Sequence, residues 1–426
     1  MDKHVYDTYV ALLKTELIMA TGCTEPIAVA YAGAKAKELL GKMPEKVDVK
    51  CSGNIIKNVK GVVVPQSGGR RGIAPAALIG IVGGNPDKVL DVLADVTQED
   101  IDKMAGLLEA GICTTGLIEG VANLYIDMYL EAGDESARVI ISDYHNNIIR
   151  TEKNGQVVYE KGASGDAAKA PDKSLMNVKD ILEFADCCDI EDVRGPIENQ
   201  LSCNTAISKE GLENKWGAEV GRTLTETNEP FSLKVKACAA AAAGSDARMA
   251  GCAMPVVINS GSGNQGITTI MPVVTYAEAY NIPHEKLIRG MVVSDLIALL
   301  QKRYIGSLSA YCGAVSAACG AACGIAYMMD LGTKVIEDTI TNTICTTGGI
   351  VCDGAKSSCG AKIAASVNAA LTALDMAKKG RVFQPGEGLT FSSVEETIAS
   401  VGYMGREGMK STDITVLNLM LGNNPK

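Results

Sequence analysis

Six of the chain's fourteen cysteines fall between Cys312 and Cys359, and the last two bound the run Cys352-Asp353-Gly354-Ala355-Lys356-Ser357-Ser358-Cys359. Thiolates are soft ligands, so several gathered in one stretch can hold zinc or an iron–sulfur cluster. Cys312, Cys319 and Cys323 are spaced 7 and 4 apart, which puts them on one helical face. Free cysteine is among the most buried residue types, and Cys319 and Cys323 read as small packing residues. Cys352 and Cys359 differ, because Asp353-Gly354 breaks the periodicity and makes a loop able to curl around a metal. Spacing alone leaves metal binding and core packing both open, and it does not name a metal.

Two further stretches carry chemistry. Asn259-Ser260-Gly261-Ser262-Gly263-Asn264-Gln265-Gly266-Ile267 follows the strand-like run Met254 to Ile258, and its glycines would let backbone N–H groups approach an anion such as a carboxylate. A plain turn is the alternative reading, and without a Walker Lys-Ser/Thr ending ATP is not indicated. In Thr21-Gly22-Cys23-Thr24-Glu25-Pro26 a thiol stands just before a helix, where the dipole and free N–H groups lower a thiol's pKa. A capped helix start with an incidental cysteine accounts for the same residues. His4, His145 and His284 are scattered, leaving neither a His-rich zinc centre nor a Ser-His-Asp triad, and His145 in Asp143-Tyr144-His145-Asn146-Asn147 reads as a turn residue.

These residues need a scaffold. At 426 residues the chain exceeds what one core usually supports, and two domains are expected. Aromatics are only 4% while Gly, Ala and Cys abound, which suits helices packed on small-residue faces. Apolar spacing predicts a helix over Val5 to Met19 and a second one through Leu40, then β-like runs at Lys46 to Cys51 and Gly61 to Val64, and an Ala-rich helix after the Pro65 to Gly69 loop. From Ala137 to Lys161 alternation predicts a small sheet with a hairpin turn at Asn154-Gly155. Ala163 to Ser174 reads as a linker. Helical signals then dominate, at Ile181-Leu182, Ala237 to Ala243, Lys286 to Gln301, Ser307 to Met329 and Ala361 to Lys379.

A net charge of -10 argues against nucleic acid as a partner. The first residues show no secretory pattern, and fourteen cysteines without one read as reduced thiols in the cytoplasm. Tyr304 to Met329 is uncharged and long enough to span a bilayer, yet its Gly, Ala, Ser and Cys content drives insertion weakly, and a buried helix with no membrane partner is the reading taken.

On Thr21 to Pro26, Ser260 to Gly266, Tyr311-Cys312-Gly313 and Cys352 to Lys356 with Cys359, the chain resembles the cysteine desulfidase family, relatives of the iron–sulfur L-serine dehydratases, over nearly its whole length. The resemblance implies a 4Fe-4S cluster on Cys312, on Cys352 after 39 intervening residues, and on Cys359 after six more. Three protein ligands leave one iron open for Lewis-acid catalysis. It also implies Cys23 as the base at the substrate Cα, with elimination giving aminoacrylate and then pyruvate and ammonia, plus sulfide if the substrate is L-cysteine. Thr24, Glu25, Ser262, Gly263, Asn264, Gln265 and Gly266 are implied to bind the substrate, and Arg303 and Lys356 to pair with its carboxylate, although a structural ion pair explains each of the last two equally. The dehydratases resemble a Ser-Ser-Ser-His-Thr run where this chain has Cys23-Thr24-Glu25-Pro26, which favours a desulfidase.

The expected protein is therefore α+β: a mixed domain with a small sheet over residues 1–162, then an all-helical cluster-binding catalytic domain over residues 175–426. Its expected partner is a small amino acid, and the chain is compatible with a homodimer that no sequence feature specifies. The alternatives are L-serine dehydration on the same cluster and a non-catalytic zinc or amino-acid sensor.

Overall fold

The computed structural model describes residues 1–161, 171–227, 232–306 and 308–423, so most of the expected linker, residues 163–170, lies outside the described residues. The first half runs α1 (Lys3–Glu16), β1 (Met19–Thr21), α2 (Thr24–Leu40), β2 (Lys46–Cys51), α3 (Gly53–Lys60), α4 (Ile73–Gly83), α5 (Gln98–Glu109), β3 (Cys113–Leu117), β4 (Tyr125–Ala132), β5 (Glu135–Ser142), β6 (Ile148–Lys153) and β7 (Gln156–Glu160). The second half runs α6 (Val178–Cys187), α7 (Ile190–Glu213), α8 (Val220–Thr227), α9 (Leu233–Met249), β8 (Pro255–Val257), α10 (Gly263–Tyr280), α11 (His284–Ile305), α12 (Gly313–Met328), α13 (Thr333–Thr347), α14 (Cys359–Ala377), α15 (Val394–Tyr403) and α16 (Lys410–Leu421). The α+β class is the one expected, with the small sheet in the N-terminal part and helices after it. The exception is β8, a short strand within the half expected to be all helical.

The sheet has the order β3-β2-β4-β5-β6-β7, with β2 and β3 parallel and the remaining neighbours antiparallel. Asn154 and Gly155 form the β6–β7 turn with φ of 52° and 76°, the left-handed pair that a two-residue hairpin turn needs. The expected strand at Gly61 to Val64 reduces to a single bridge between Val63 and Arg71. One face of the sheet is covered by α2, which packs on β4 and β5 and is backed by α4. The α2–α4 contact explains the scarcity of aromatics: a Cβ on Gly80 would stand 2.1 Å from the Ala30 carbonyl oxygen. Only small residues permit that approach.

The helical half uses the same device. Gly320 on α12 meets the Ser294 carbonyl of α11, where a Cβ would come within 2.3 Å, and Cys319 and Cys323 are fully buried in α12. Instead of starting at Ser307, α12 starts at Gly313, because the chain leaves α11 at Gly306 (φ 94°). Tyr304 to Met329 is therefore not one helix, and no described helix is long and apolar enough to cross a membrane. Threonine-rich α13 lies in the half expected to be helical but is not among the segments that spacing singles out. Its β-branched residues disfavour helix locally, but Thr339, Thr343 and Thr347 each donate a hydroxyl proton to the carbonyl four residues back.

A second, two-stranded pairing joins the halves: β1 runs antiparallel to β8, with Met19 opposite Val257 and Thr21 opposite Pro255. This pairing sets the Gly22-Cys23 loop beside the Ser260 to Gly266 loop.

Candidate active site

A cavity of about 180 Å³ opens where the two loops meet the cysteine-bearing segments. Cys23, Glu25, Ser262, Asn264, Gln265, Cys312, Cys352 and Cys359 all line it, although they come from four separate stretches of chain. Thr24, Gly263 and Gly266 stand behind the wall. The Thr24 hydroxyl lies 2.9 Å from the Gly261 carbonyl oxygen and 3.1 Å from Glu25 Oε2, tying the start of α2 to the glycine-rich turn. Gly263 and Gly266 serve packing: a Cβ would come within 2.4 Å of Arg248 Nε at the first and 2.0 Å of the Val257 carbonyl oxygen at the second. Arg303 and Lys356 do not line the cavity. Arg303 donates to the Ser174 and Met176 carbonyls and stacks on Tyr304, and Lys356 pairs with Asp353.

Cys23 caps α2 and is nearly fully buried, its thiol 3.2 Å from Glu25 Oε2. The helix start was expected to lower this thiol's pKa, but burial and then the Glu25 charge push it well above the ordinary value, outweighing the pull of Arg248. Burial also pushes the Glu25 carboxyl up, but His145, the Cys23 thiol and Arg248 together bring it down to about 2. Asn58 Nδ2 donates to Oε1 at 2.9 Å, so Glu25 is a hydrogen-bonded, ionised carboxylate.

The three cluster candidates reach the cavity from distinct places. Cys312 caps α12, Cys359 begins α14, and Cys352 lies on the strand-like segment that bridges Tyr311 to Val351. Backbone bonds from Cys312 N to the Ile350 oxygen (2.9 Å) and from Cys352 N to the Ala310 oxygen (2.7 Å) hold two of them side by side. A hydrogen bond from the Cys312 thiol favours the Cys352 thiolate; with Lys57, the Gly354 N–H and Lys362 adding to it against burial, Cys352 sits at about 6 while Cys312 is pushed up. Burial pushes Cys359 up. Lys302 faces the Cys312–Cys352 pair, and burial lowers its ammonium to about 8. Lys57, fully buried, pairs with Asp413 of α16. Cationic surroundings of this kind suit anionic sulfur. Among the described residues no three His, Cys, Asp or Glu side chains meet closely enough to hold a single ion. The trio is instead spread over the cavity wall, and an iron–sulfur cluster takes each thiolate on a different iron, so this donor set fits such a group.

Sequence reasoning missed Arg248, at the end of α9. The residue is 2% exposed; its guanidinium donates from Nε to the Gly22 carbonyl (3.0 Å) and from Nη1 to Asn264 Oδ1 (3.2 Å), and its buried Nη2 has no partner among the described residues. Gln265 Oε1 and Tyr311 Oη are likewise buried without partners among the described residues. His145 sits in the β5–β6 turn as expected, yet its ring lines the cavity, with Nε2 4.0 Å from Glu25 Oε1. No local pattern marks either residue. Behind the site, Asp295 accepts from Gln200 (3.0 Å) and Asn259 (2.9 Å) and anchors the turn that carries Ser260.

Thiols, an ionised carboxylate and a partly satisfied guanidinium surround one small cavity in an α+β protein of two unlike halves. Residues 87–418 match the family model described as the serine dehydratase alpha chain. Relatives include a UPF0597 protein of Finegoldia magna, 47% identical over 414 residues (97% of this chain, 99% of the relative). A UPF0597 protein of Lachnoclostridium phytofermentans is 45% identical over 417 residues (98% and 100%). One of Treponema denticola is 43% identical over 428 residues (99% and 99%). The chain belongs to the serine dehydratase alpha-chain family, a lyase-type class.

Proposed function

We propose that the protein is an α,β-elimination lyase that converts L-cysteine to sulfide, ammonia and pyruvate, with a 4Fe-4S cluster on Cys312, Cys352 and Cys359. The observation that carries this reading is that those three thiols line the same cavity as Cys23, Glu25 and Arg248. When bound, the cluster supplies a Lewis-acidic iron free of protein thiolate. Arg248 Nη2 supplies the donor for the substrate carboxylate. Cys23 takes the Cα proton as a thiolate, and the burial that makes this thiolate costly to form also makes it a strong base. The Cα–H and Cβ–S bonds break, the Cα=Cβ bond forms, and hydrosulfide leaves; the aminoacrylate tautomerises to an imine that water hydrolyses. All fourteen cysteines are unpaired, which agrees with a reducing cytoplasm.

The family's name favours L-serine as the second reading, with hydroxide as the leaving group. The test is anaerobic purification with iron and acid-labile sulfide counted, followed by sulfide release from L-cysteine and pyruvate release from L-serine. A preparation without iron and without turnover of either amino acid refutes the proposal, and turnover of L-serine alone selects the second reading.

A further inference from the structure

His145 is held rigidly. Its turn is closed by bonds from Ser142 N to the Asn147 oxygen (3.1 Å) and from Asn147 N to the Tyr144 oxygen (3.1 Å), and the Asn147 side chain donates to the Ser142 oxygen (2.8 Å). The imidazole rests against Gly261, where a Cβ would come within 3.3 Å of Cε1. Its Nε2 is buried, has no hydrogen-bond partner among the described residues, and stands 4.0 Å from Glu25 Oε1, too far for a direct bond. Of the Glu25 oxygens, Oε2 faces the Cys23 thiol and the Thr24 hydroxyl, whereas Oε1 accepts from Asn58 alone among the described residues and keeps a lone pair.

With the ring proton on Nδ1, His145 turns Nε2 to the cavity as an acceptor; in that tautomer two acceptors 4.0 Å apart are matched by one donor that reaches each at about 2.9 Å, with roughly 90° between the two bonds, about 20° short of the tetrahedral spread on an ammonium. Arg248, whose charge acts on the same Glu25, offers its unpartnered Nη2 on the same cavity. The wall thus offers a zwitterion Arg248 for its carboxylate and Glu25 for its ammonium, among further charged groups that include Lys57, Lys302 and Asp143.

We propose that Glu25 Oε1 and His145 Nε2 form the subsite for the substrate's α-ammonium group, so that His145 is a specificity-determining residue that selects amino acids over the corresponding des-amino acids. This rests on the reading of the cavity as an α-amino-acid site and does not depend on which leaving group departs.

The test uses the full chain, prepared anaerobically, and two unreactive probes: L-alanine and propanoate, the same acid without the amino group. Their dissociation constants are measured by titration calorimetry for the wild type, His145→Leu and His145→Gln, with thermal midpoints recorded for each. Loss of a hydrogen bond to a charged group weakens L-alanine by roughly tenfold to a hundredfold in His145→Leu, while propanoate stays within about twofold. His145→Gln, which retains an acceptor oxygen, recovers part of the L-alanine affinity. Equal weakening of both probes, or no weakening of either, overturns the proposal, as does a wild type with no preference for L-alanine over propanoate. Sulfide release fails or succeeds separately: a protein that turns over only L-serine would refute the desulfidase reading and leave the ammonium subsite intact.

Discussion

Replacing Gly354 by alanine tests whether the Cys352 loop is seated as described. Gly354 has φ 91° and Gly349, in the same approach to the loop, has φ 103°, so both hold backbone that a side chain adopts only under strain. Alanine at either position costs roughly 1–3 kcal/mol from that source. The two differ in their surroundings. A Cβ on Gly349 meets nothing within 4 Å, whereas one on Gly354 would stand 2.2 Å from the Lys57 carbonyl oxygen and 2.9 Å from its carbon. Backbone cannot swing aside as a side chain can, so the loop must lift from α3, adding an overpacking cost of roughly 1–3 kcal/mol. Lifting the loop moves Cys352, two residues earlier, away from Cys312. Urea unfolding midpoints with iron counted per chain are the assay: Gly349→Ala should be modestly destabilised and keep its iron, and Gly354→Ala should be less stable again and lose much of it. Equal destabilisation of the two variants with full iron in both would refute the reasoning.

Arg248→Gln should weaken propanoate and L-alanine alike, by roughly tenfold or more in calorimetry, because it removes a charged donor that serves the carboxylate common to both. Cys23→Ala should abolish turnover while iron and sulfide content stay at the wild-type level; retained turnover would remove Cys23 from the chemistry. Cys319→Ala should keep its iron at a stability cost of about 0.5–3 kcal/mol, whereas Cys359→Ala should lose iron. Burial raises the Asp295 carboxyl to about 6. A raised folded pKa means stability that is fully present below the ordinary carboxylate value and lost as pH rises through about 6. Urea midpoints taken from pH 4 to 7 should therefore fall in the wild type and stay flatter in Asp295→Asn; parallel curves would contradict this.

Much of the fold was legible because it is written locally. The β2 strand follows the alternation of Lys46 to Cys51, and the β6–β7 turn follows Asn154-Gly155. Where local and tertiary preferences diverge, the residues in order say less: α13 lies in the half expected to be helical, and it forms despite its threonines because their hydroxyls find carbonyls one turn back and its apolar face is buried. The start of α12 moved to Gly313 because α11 runs on to Ile305 and Gly306 (φ 94°) then turns the chain out of it.

The chemistry divides in the same way. Donor type and spacing drew attention to Cys352 and Cys359 and to the two glycine-bearing loops, since ligand softness and backbone freedom are properties of the residues themselves, but they left packing or a plain turn equally open, and Cys23 and Cys312 entered as site residues only through the resemblance. Arg248 and His145 became visible only in three dimensions. The Arg248 partner Gly22 lies 226 residues away, and His145 meets Glu25 only because the sheet and the helices close on one cavity. A residue's type limits the bonds it can make, but which bonds remain unmade, and therefore available to a substrate, depends on neighbours brought in by long-range packing.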